Sequence, residues 1–143
     1  MTELLSLNYE ISATDFTLAG EASGNVKSQL KKIGMNHVVV RKVAIAMYEG
    51  EINMVIHANG GTAEVKIFDE CVEITLKDQG PGIENVEMAM QEGYSTATEK
   101  VRELGFGAGM GLPNMKKYAD DFEIKSVVGK GTTVFMRINV PND

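Results

Sequence analysis

Two polar side chains stand one helical turn apart in a stretch of the sequence that is otherwise apolar. Glu49 and Asn53 are spaced i, i+4, and His57 follows at i+8, so the spacing predicts that all three lie on one face of a helix. A carboxylate and an amide are costly to bury unless something pairs with them. Asn53 offers an oxygen ligand that suits Mg²⁺, and Glu49 offers a base. The spacing leaves one alternative open, an amphipathic helix whose polar face only contacts water.

A second candidate site is the turn Asp78-Gln79-Gly80-Pro81-Gly82, which directly follows a predicted apolar strand. A carboxylate at the end of a strand can accept a hydrogen bond from an exocyclic amine. Gly80 and Gly82 allow the backbone to lie flat against a planar ring. An ordinary turn remains the alternative, because Gly-Pro-Gly interrupts regular structure in any context.

A third candidate site is a run of alternating glycines, Gly105, Gly107, Gly109 and Gly111, placed directly before a predicted apolar helix. Glycines expose backbone N–H groups, and the start of a helix adds a partial positive charge, so the run predicts a phosphate cradle. It matches neither the P-loop pattern nor the dinucleotide fingerprint. A flexible glycine hinge is the alternative interpretation.

The framework for these sites is predicted to be of the α+β class. Strand pairs lie beside helices without regular βαβ alternation, so we expect a two-layer sandwich with a mixed sheet, formed by residues 1–143 as a single domain. Asp15 or Thr17 is the expected cap of the first helix, and Asn36 that of the second. The predicted strands are Leu4–Ile11, Thr62–Phe68, Cys71–Leu76, Phe122–Val127 and Thr132–Val140, and the predicted helices are 15–33, 38–58, 84–91 and 110–118.

Composition excludes several classes of protein. The chain has 143 residues, 43% of them hydrophobic, with 14 basic and 20 acidic side chains and a net charge of −6. This balance argues against binding to nucleic acid or to an anionic membrane, because both need a basic face. The longest apolar run, Val43–Tyr48, is too short to span a membrane, and no leader peptide is recognised. The single cysteine excludes a disulfide framework, so we expect a cytoplasmic protein.

Four short motifs occur in a fixed order along the chain and together resemble a known superfamily. They are Glu49-x-x-x-Asn53, Asp78-x-Gly80-x-Gly82, Gly107-x-Gly109-x-Gly111 and Gly129-x-Gly131-Thr132. Their order is similar to that of the four boxes of the GHKL superfamily of ATPases and kinases, which includes gyrase and the histidine kinases. The resemblance implies the Bergerat fold of a histidine-kinase-like ATPase domain.

Within this superfamily the chain most resembles the bacterial anti-sigma-factor and switch serine kinases. The features that carry this closer resemblance are Asn53-Met-Val-Ile-His57, Glu92-Gly-Tyr-Ser-Thr96, Gly107-Ala-Gly-Met-Gly-Leu-Pro113 and Phe122-Glu-Ile-Lys-Ser-Val-Val-Gly129. A sensor histidine kinase is less similar, because it would need a phospho-acceptor histidine on a dimerisation hairpin, and neither of the two histidines fits that role.

The resemblance implies ATP and Mg²⁺ as cofactors and assigns a role to each motif. Asn53 would bind Mg²⁺, and Glu49 would be the catalytic base for a serine or threonine hydroxyl. Asp78 would bind the adenine amine, with Thr132 supporting it through water. The glycines implied in ATP binding are Gly80, Gly82, Gly105, Gly107, Gly109 and Gly111.

The family also implies partners. Its substrates are small STAS-domain anti-anti-sigma proteins, and a sigma factor and a homodimer come into consideration with it, although the residue pattern identifies neither. Two alternatives stay open from the sequence. One is a nucleotide-dependent anti-sigma or partner-binding module without kinase activity, and the other is a stand-alone histidine-kinase-like ATPase domain.

Overall fold

The computed structural model describes residues 2–12, 19–57, 60–83, 86, 90 and 111–141. The strands and helices of these residues follow one another in the order that the sequence predicts. The elements are β1 (Glu3–Ile11), α1 (Glu21–Lys32), α2 (His37–His57), β2 (Gly61–Phe68), β3 (Cys71–Lys77), α3 (Gly111–Tyr118), β4 (Asp121–Val127) and β5 (Gly131–Asn139). The predicted helix over 84–91 and the predicted loop over 94–104 lie mostly or wholly outside the described residues.

The five described strands form one sheet in the order β1-β2-β3-β5-β4, and all four pairings are antiparallel. The prediction of an α+β two-layer sandwich is confirmed, but the prediction of a mixed sheet is wrong. A single helix between two strands returns the chain for a parallel pairing. Between β1 and β2 the chain instead forms two helices, joined by only four residues, 33–36. A helix pair brings the chain back to the end of the sheet that it left, so β2 runs antiparallel to β1.

The core lies between the helices and one face of the sheet. In β2 the period-two burial places Ala63, Val65 and Ile67 on the inner face, all 1% exposed or less. Leu30 of α1 and Met47 of α2 pack against that face and are fully buried. The outer face carries charged pairs instead, so one face of the sheet is dry and the other is polar.

The beginnings of the two long helices differ in how they are capped. Asn36 Oδ1 accepts hydrogen bonds from the backbone N–H groups of Val38 at 2.8 Å and Val39 at 3.4 Å, so the predicted cap of α2 is confirmed. Helix α1 begins later than predicted, at Glu21, with Gly20 at the N-cap and no side-chain cap of its own. The prediction of Asp15 or Thr17 as its cap is therefore wrong.

The start of α1 is capped by a buried carboxylate of the neighbouring helix, that of Glu51. Glu51 is 2% exposed, and its two oxygens accept from the N–H groups of Gly20 at 3.0 Å, Ala22 at 3.2 Å and Ser23 at 3.0 Å. These are donors that have no partner inside their own helix. Glu51 thus fixes the start of α1 against the middle of α2.

Within the part of the chain that the structure describes, none of the helices is both long enough and apolar enough to cross a bilayer.

Candidate functional site

Asp78 follows β3 directly, and its carboxylate connects the turn after β3 to the start of β5. Asp78 Oδ1 accepts hydrogen bonds from the backbone N–H groups of Gly80 at 2.9 Å and Thr132 at 3.1 Å. The Asp78 N–H donates to the Thr132 carbonyl oxygen at 3.0 Å. Thr132 therefore supports Asp78 by direct backbone contact, where the resemblance implied water. Oδ1 carries both bonds, and Oδ2 is the second acceptor of the same group.

Ser126 of β4 forms hydrogen bonds to three residues at this corner of the sheet. Its Oγ lies 2.8 Å from Thr132 Oγ1, accepts from the Ile83 N–H at 2.7 Å, and donates to the Gly131 carbonyl oxygen at 3.4 Å. The turn that follows Asp78 is thus held to the β4–β5 turn by side-chain as well as backbone hydrogen bonds.

Gly82 is required where these two turns touch. Its φ is +77°, in the left-handed region, and a Cβ at this position would lie 2.6 Å from the Val127 carbonyl oxygen. The neighbouring Pro81 carbonyl oxygen accepts from the Gly129 N–H at 2.8 Å. The close approach of the two backbones accounts for the glycine that the motif places there.

Glu49 and Asn53 lie on α2, half-buried, one turn apart as the spacing predicts. Both face α3. Glu49 Oε1 accepts a hydrogen bond from Asn114 Nδ2 at 3.4 Å, and the Asn53 carboxamide packs against Gly111. The interpretation of this face as simply wet is therefore wrong, because α3 packs against it.

Gly111 opens α3 and allows it to approach α2 closely. A Cβ on Gly111 would lie 2.8 Å from both Oδ1 and Nδ2 of Asn53, closer than real Cβ contacts come. The first backbone groups of α3 therefore lie beside the Asn53 amide. The first four N–H groups of a helix have no partner inside it, and they favour an anion. Gly111 is the last glycine of the run that the sequence predicts to form a phosphate cradle, and that role stays a prediction.

The Asp78 corner lies beside the end of α2, the helix that carries Asn53. Met54, next to Asn53 in sequence, places its Cε 2.6 Å from the point where a Cβ of Gly61 would stand, and Asp78 Cα lies 3.0 Å from the same point. The fold thus places an acceptor for an amine near the helix that carries an amide beside the start of α3. Together they can hold a molecule that has a base at one end and phosphates at the other.

Some predicted site residues cannot be placed. Gly105, Gly107 and Gly109, with the segment 92–96, lie outside the described residues, and the same holds for the side chain of His57. The structure places Glu49, Asn53, Asp78, Gly80, Gly82, Gly111 and Thr132.

Sequence reasoning missed two residues that contact the site. Ser126 has a detectable signal, because it follows Phe122 and Ile124 in the inward phase of β4 and is the polar member of that series. Asn114 has a weaker one. It stands between the buried residues Leu112 and Met115 on a helix that is otherwise polar only near its end.

The chain belongs to the histidine kinase-like ATPase family, since the model of that domain matches residues 13–138. Similar proteins confirm the resemblance to the GHKL superfamily and to its anti-sigma-factor and switch-kinase members. An anti-sigma F factor of Caldanaerobacter subterraneus subsp. tengcongensis is 36% identical over 102 residues, which cover 68% of each chain. The serine/threonine-protein kinase RsbT of Bacillus subtilis is 30% identical over 124 residues, covering 84% of this chain and 85% of that protein.

Solved structures confirm the fold. A Mycobacterium tuberculosis protein with RsbU and RsbW domains superposes with a TM-score of 0.67 at 17% identity, over 98% of this chain and 34% of that one. The chain therefore spans about a third of that longer protein. The mycobacterial sensor histidine kinase MprB gives a TM-score of 0.53 at 14% identity, over 95% and 98% of the two chains. Membership of an ATPase family implies that the chain binds a nucleotide.

Proposed function

We propose that this protein is an ATP-dependent serine/threonine protein kinase of the anti-sigma regulatory type, which transfers the γ-phosphate to a hydroxyl of a small STAS-type protein. The observation that carries the proposal is the position of Glu49 and Asn53. They lie one turn apart on α2, facing the first turn of α3, with Asn53 against Gly111 and Glu49 against Asn114. A protein that only bound a nucleotide would have little use for a carboxylate in that place.

The residues present fit Mg²⁺-ATP. Asp78 Oδ2 is the acceptor for the exocyclic amine of adenine, while Oδ1 is held by Gly80 and Thr132. Asn53 supplies the oxygen ligand for Mg²⁺, a hard cation that takes its remaining ligands from phosphates and water. The start of α3 at Gly111, with Gly105, Gly107 and Gly109 before it in sequence, supplies N–H donors to the phosphates. Bound Mg²⁺ would supply neutralisation of phosphate charge.

Glu49 acts as the base in the transfer. It accepts the proton of the substrate hydroxyl while that oxygen forms a bond to the γ-phosphorus and the bond to the ADP oxygen breaks. In phosphoryl transfer the protein mainly positions the groups and neutralises charge. One general base and one metal ligand, held on one face of a rigid helix, meet that requirement.

The names of the relatives support the class of partner that we propose. Proteins named anti-sigma F factor and serine/threonine-protein kinase RsbT support a regulator of sigma-factor activity as the partner. We assign a STAS-domain protein as the phosphate acceptor and a sigma factor as a second binding partner, in the cytoplasm. The domain is proposed to be the whole of residues 1–143, acting as a homodimer.

Phosphate transfer in a heat-treated lysate of the source organism tests the proposal, with purified protein, Mg²⁺ and γ-labelled ATP added. Glu49→Gln is the matched control, because the amide keeps the shape and the acceptor for Asn114 but cannot take the proton. We expect an acid-stable label on a small protein with the natural chain and none with Glu49→Gln, while both bind ATP equally in calorimetry.

Three results would contradict the proposal. An acid-labile label would indicate histidine chemistry. Equal labelling by Glu49→Gln would show that Glu49 is not the base. ATP binding without any transfer would indicate a nucleotide-gated binding module in place of a kinase.

A further inference from the structure

Positive charge is concentrated in one part of this acidic chain. Five of its fourteen Lys and Arg residues, and none of its twenty acidic residues, lie between Ala22 and Tyr48. This segment forms most of α1 and the first half of α2. Although the chain has a net charge of −6, its helical layer therefore carries a local basic face.

A groove of about 550 Å³ lies on that face, between α1 and α2. Its apolar floor is formed by residues of α2 and of the connection before it, and its basic rim by residues of both helices. The floor residues are Met35, Val40, Ala44 and Ile45, and the rim residues are Lys27, Lys31, His37 and Arg41. Val38, at the same end of α2, is 46% exposed and extends the apolar surface beyond the groove.

Among the described residues, no acidic side chain forms an ion pair with the cations of the rim. Within the described ranges, the ion pairs involve Lys66, Lys125 and Arg137, and none involves Lys27, Lys31 or Arg41. Lys27 and Lys31 stand at i, i+4 on α1 and present two like charges side by side. A carboxylate placed between the two helices would therefore reach several unpaired cations at once.

The groove and the candidate nucleotide site are neighbouring regions of α2. Ile45, the groove residue nearest in sequence to the site, precedes Glu49 by four residues, about 6 Å along the helix axis. Arg41 precedes Asn53 by twelve residues, about 18 Å along the same axis. Helix α3, which completes the nucleotide site, packs against the Glu49 and Asn53 face and does not line the groove. The two regions therefore adjoin on α2 but have different lining residues.

We propose that this groove, which we call the α1–α2 groove, binds an acidic amphipathic helix of a partner protein. A helix laid between two helices places its apolar side chains on the floor and its flanking carboxylates against the rim, the usual helix-in-groove arrangement. Nucleic acid fits less well, because the floor is formed by Met, Val, Ala and Ile side chains, which offer no ring for a base to stack on. A two-fold contact with a second copy would bring the same cations face to face.

Fluorescence anisotropy with a labelled helical peptide tests the α1–α2 groove. The probe carries leucines at i, i+4 and i+7 with glutamates on both flanks. One control peptide replaces the glutamates by lysines, and the other replaces the leucines by serines. We expect the first probe to bind and both control peptides to bind at least about tenfold more weakly, since apolar and charge contacts are both needed.

Two double variants of equal charge localise the binding. Lys27→Glu with Lys31→Glu reverses the rim, and Lys66→Glu with Lys125→Glu makes the same charge change on the outer face of the sheet. We expect only the first pair to lower the affinity, by about tenfold or more. Ala44→Gln, which fills the floor without adding charge, should lower it as well. All variants should keep the natural circular dichroism spectrum and ATP affinity, so failure here is distinguishable from failure of the proposed kinase function.

Four outcomes would overturn the proposal. One is an equal loss in both double variants, which would indicate an unspecific charge effect. Another is absence of peptide binding to the natural chain. The third is tighter binding of polyuridylate or phosphatidylserine vesicles than of the peptide, with the same dependence on Lys27 and Lys31. The fourth is a dimer in sedimentation that the Lys27 and Lys31 changes dissociate, since the occupant would then be a second copy.

Discussion

The Nδ2 atom of Asn114 lies 3.4 Å from Oε1 of Glu49, so α3, which begins at the last glycine of the predicted phosphate cradle, also contacts the proposed base. The two residues are 65 positions apart in sequence, and α2 and α3 meet at this point. A movement of α3 would therefore move a contact of the base as well as the start of the cradle. Under the proposed function, nucleotide binding and the geometry of phosphate transfer would both depend on this short helix.

Asn114→Ala should slow phosphate transfer without weakening ATP binding. Loss of one long hydrogen bond to a carboxylate corresponds to about 1 kcal/mol, or roughly fivefold in the transfer rate. ATP affinity should stay within about twofold, because Asn114 contacts Glu49 and not the Asn53 amide. Single-turnover transfer and calorimetry measure the two effects separately.

The control for that experiment is Lys116→Ala, an exposed change on the same helix. It should leave both the rate and the affinity unchanged. If Asn114→Ala weakens ATP binding and transfer equally, the residue supports the fold of the site and does not position the base.

Asp78→Asn should remove ATP binding while leaving the fold intact. The amide oxygen can still accept from Gly80 and Thr132, but the NH₂ group replaces Oδ2 and would face the adenine amine, donor against donor. We expect ATP affinity to fall by about a hundredfold or more, as in sites where a buried polar group loses its partner.

Asp69→Asn provides the matched control, because Asp69 also accepts a backbone N–H, that of Thr2, at a turn between strands. Its ATP affinity should equal that of the natural chain. Calorimetry and thermal melting decide the outcome. Unchanged affinity in Asp78→Asn would remove Asp78 from the site, and a large fall in melting temperature would make its role structural.

Gly111→Ala should weaken Mg²⁺-ATP binding although it favours the helix. The new Cβ would lie 2.8 Å from the Asn53 amide atoms, so Asn53 has to turn away from α3. Alanine is about 1 kcal/mol better than glycine inside a helix, so a loss of affinity cannot be ascribed to a weaker α3. Titration with ATP in Mg²⁺ and in chelator should show the loss mainly in Mg²⁺.

Gly24→Ala is the control, since nothing lies within 4 Å of its Cβ position on α1. It should raise the free energy of unfolding by about 0.5–1 kcal/mol and leave ATP affinity unchanged. Equal Mg²⁺-ATP affinities in Gly111→Ala and Gly24→Ala would contradict the placement of Asn53 against the start of α3.

Local patterns were sufficient to predict the described elements. The β-rich run of β2 and the Asn36 cap are properties of a few neighbouring residues, and both are confirmed. The structure places Asp78 directly after β3, while its role towards adenine stays a prediction. The mixed sheet was predicted wrongly although both helices between β1 and β2 were predicted, because the pairing and direction of distant strands depend on how the whole sheet assembles. The contact between Glu49 and Asn114 depends on the packing of two distant helices, and no periodicity encodes it.

The role of Glu51 as a helix cap could not be predicted from the sequence. Glu51 lies two residues after Glu49, and the pattern gives no reason to treat the two carboxylates differently. In an α-helix, positions i and i+2 point to nearly opposite sides. One carboxylate therefore faces α3 at the candidate site, and the other is buried against α1 as a cap.

Glu51→Ala should destabilise the protein by about 2–4 kcal/mol, because it leaves three backbone N–H groups at the start of α1 without their acceptor. Glu51→Gln should cost less, since the amide oxygen can still accept at least one of these bonds. Urea denaturation followed by circular dichroism measures both, with equal m-values as the check that the transitions are comparable. Glu49→Gln is the control two residues away and should change the free energy of unfolding by less than about 1 kcal/mol. If Glu51→Ala were as stable as Glu49→Gln, the N–H groups of α1 would find other partners and Glu51 would not be the cap of that helix.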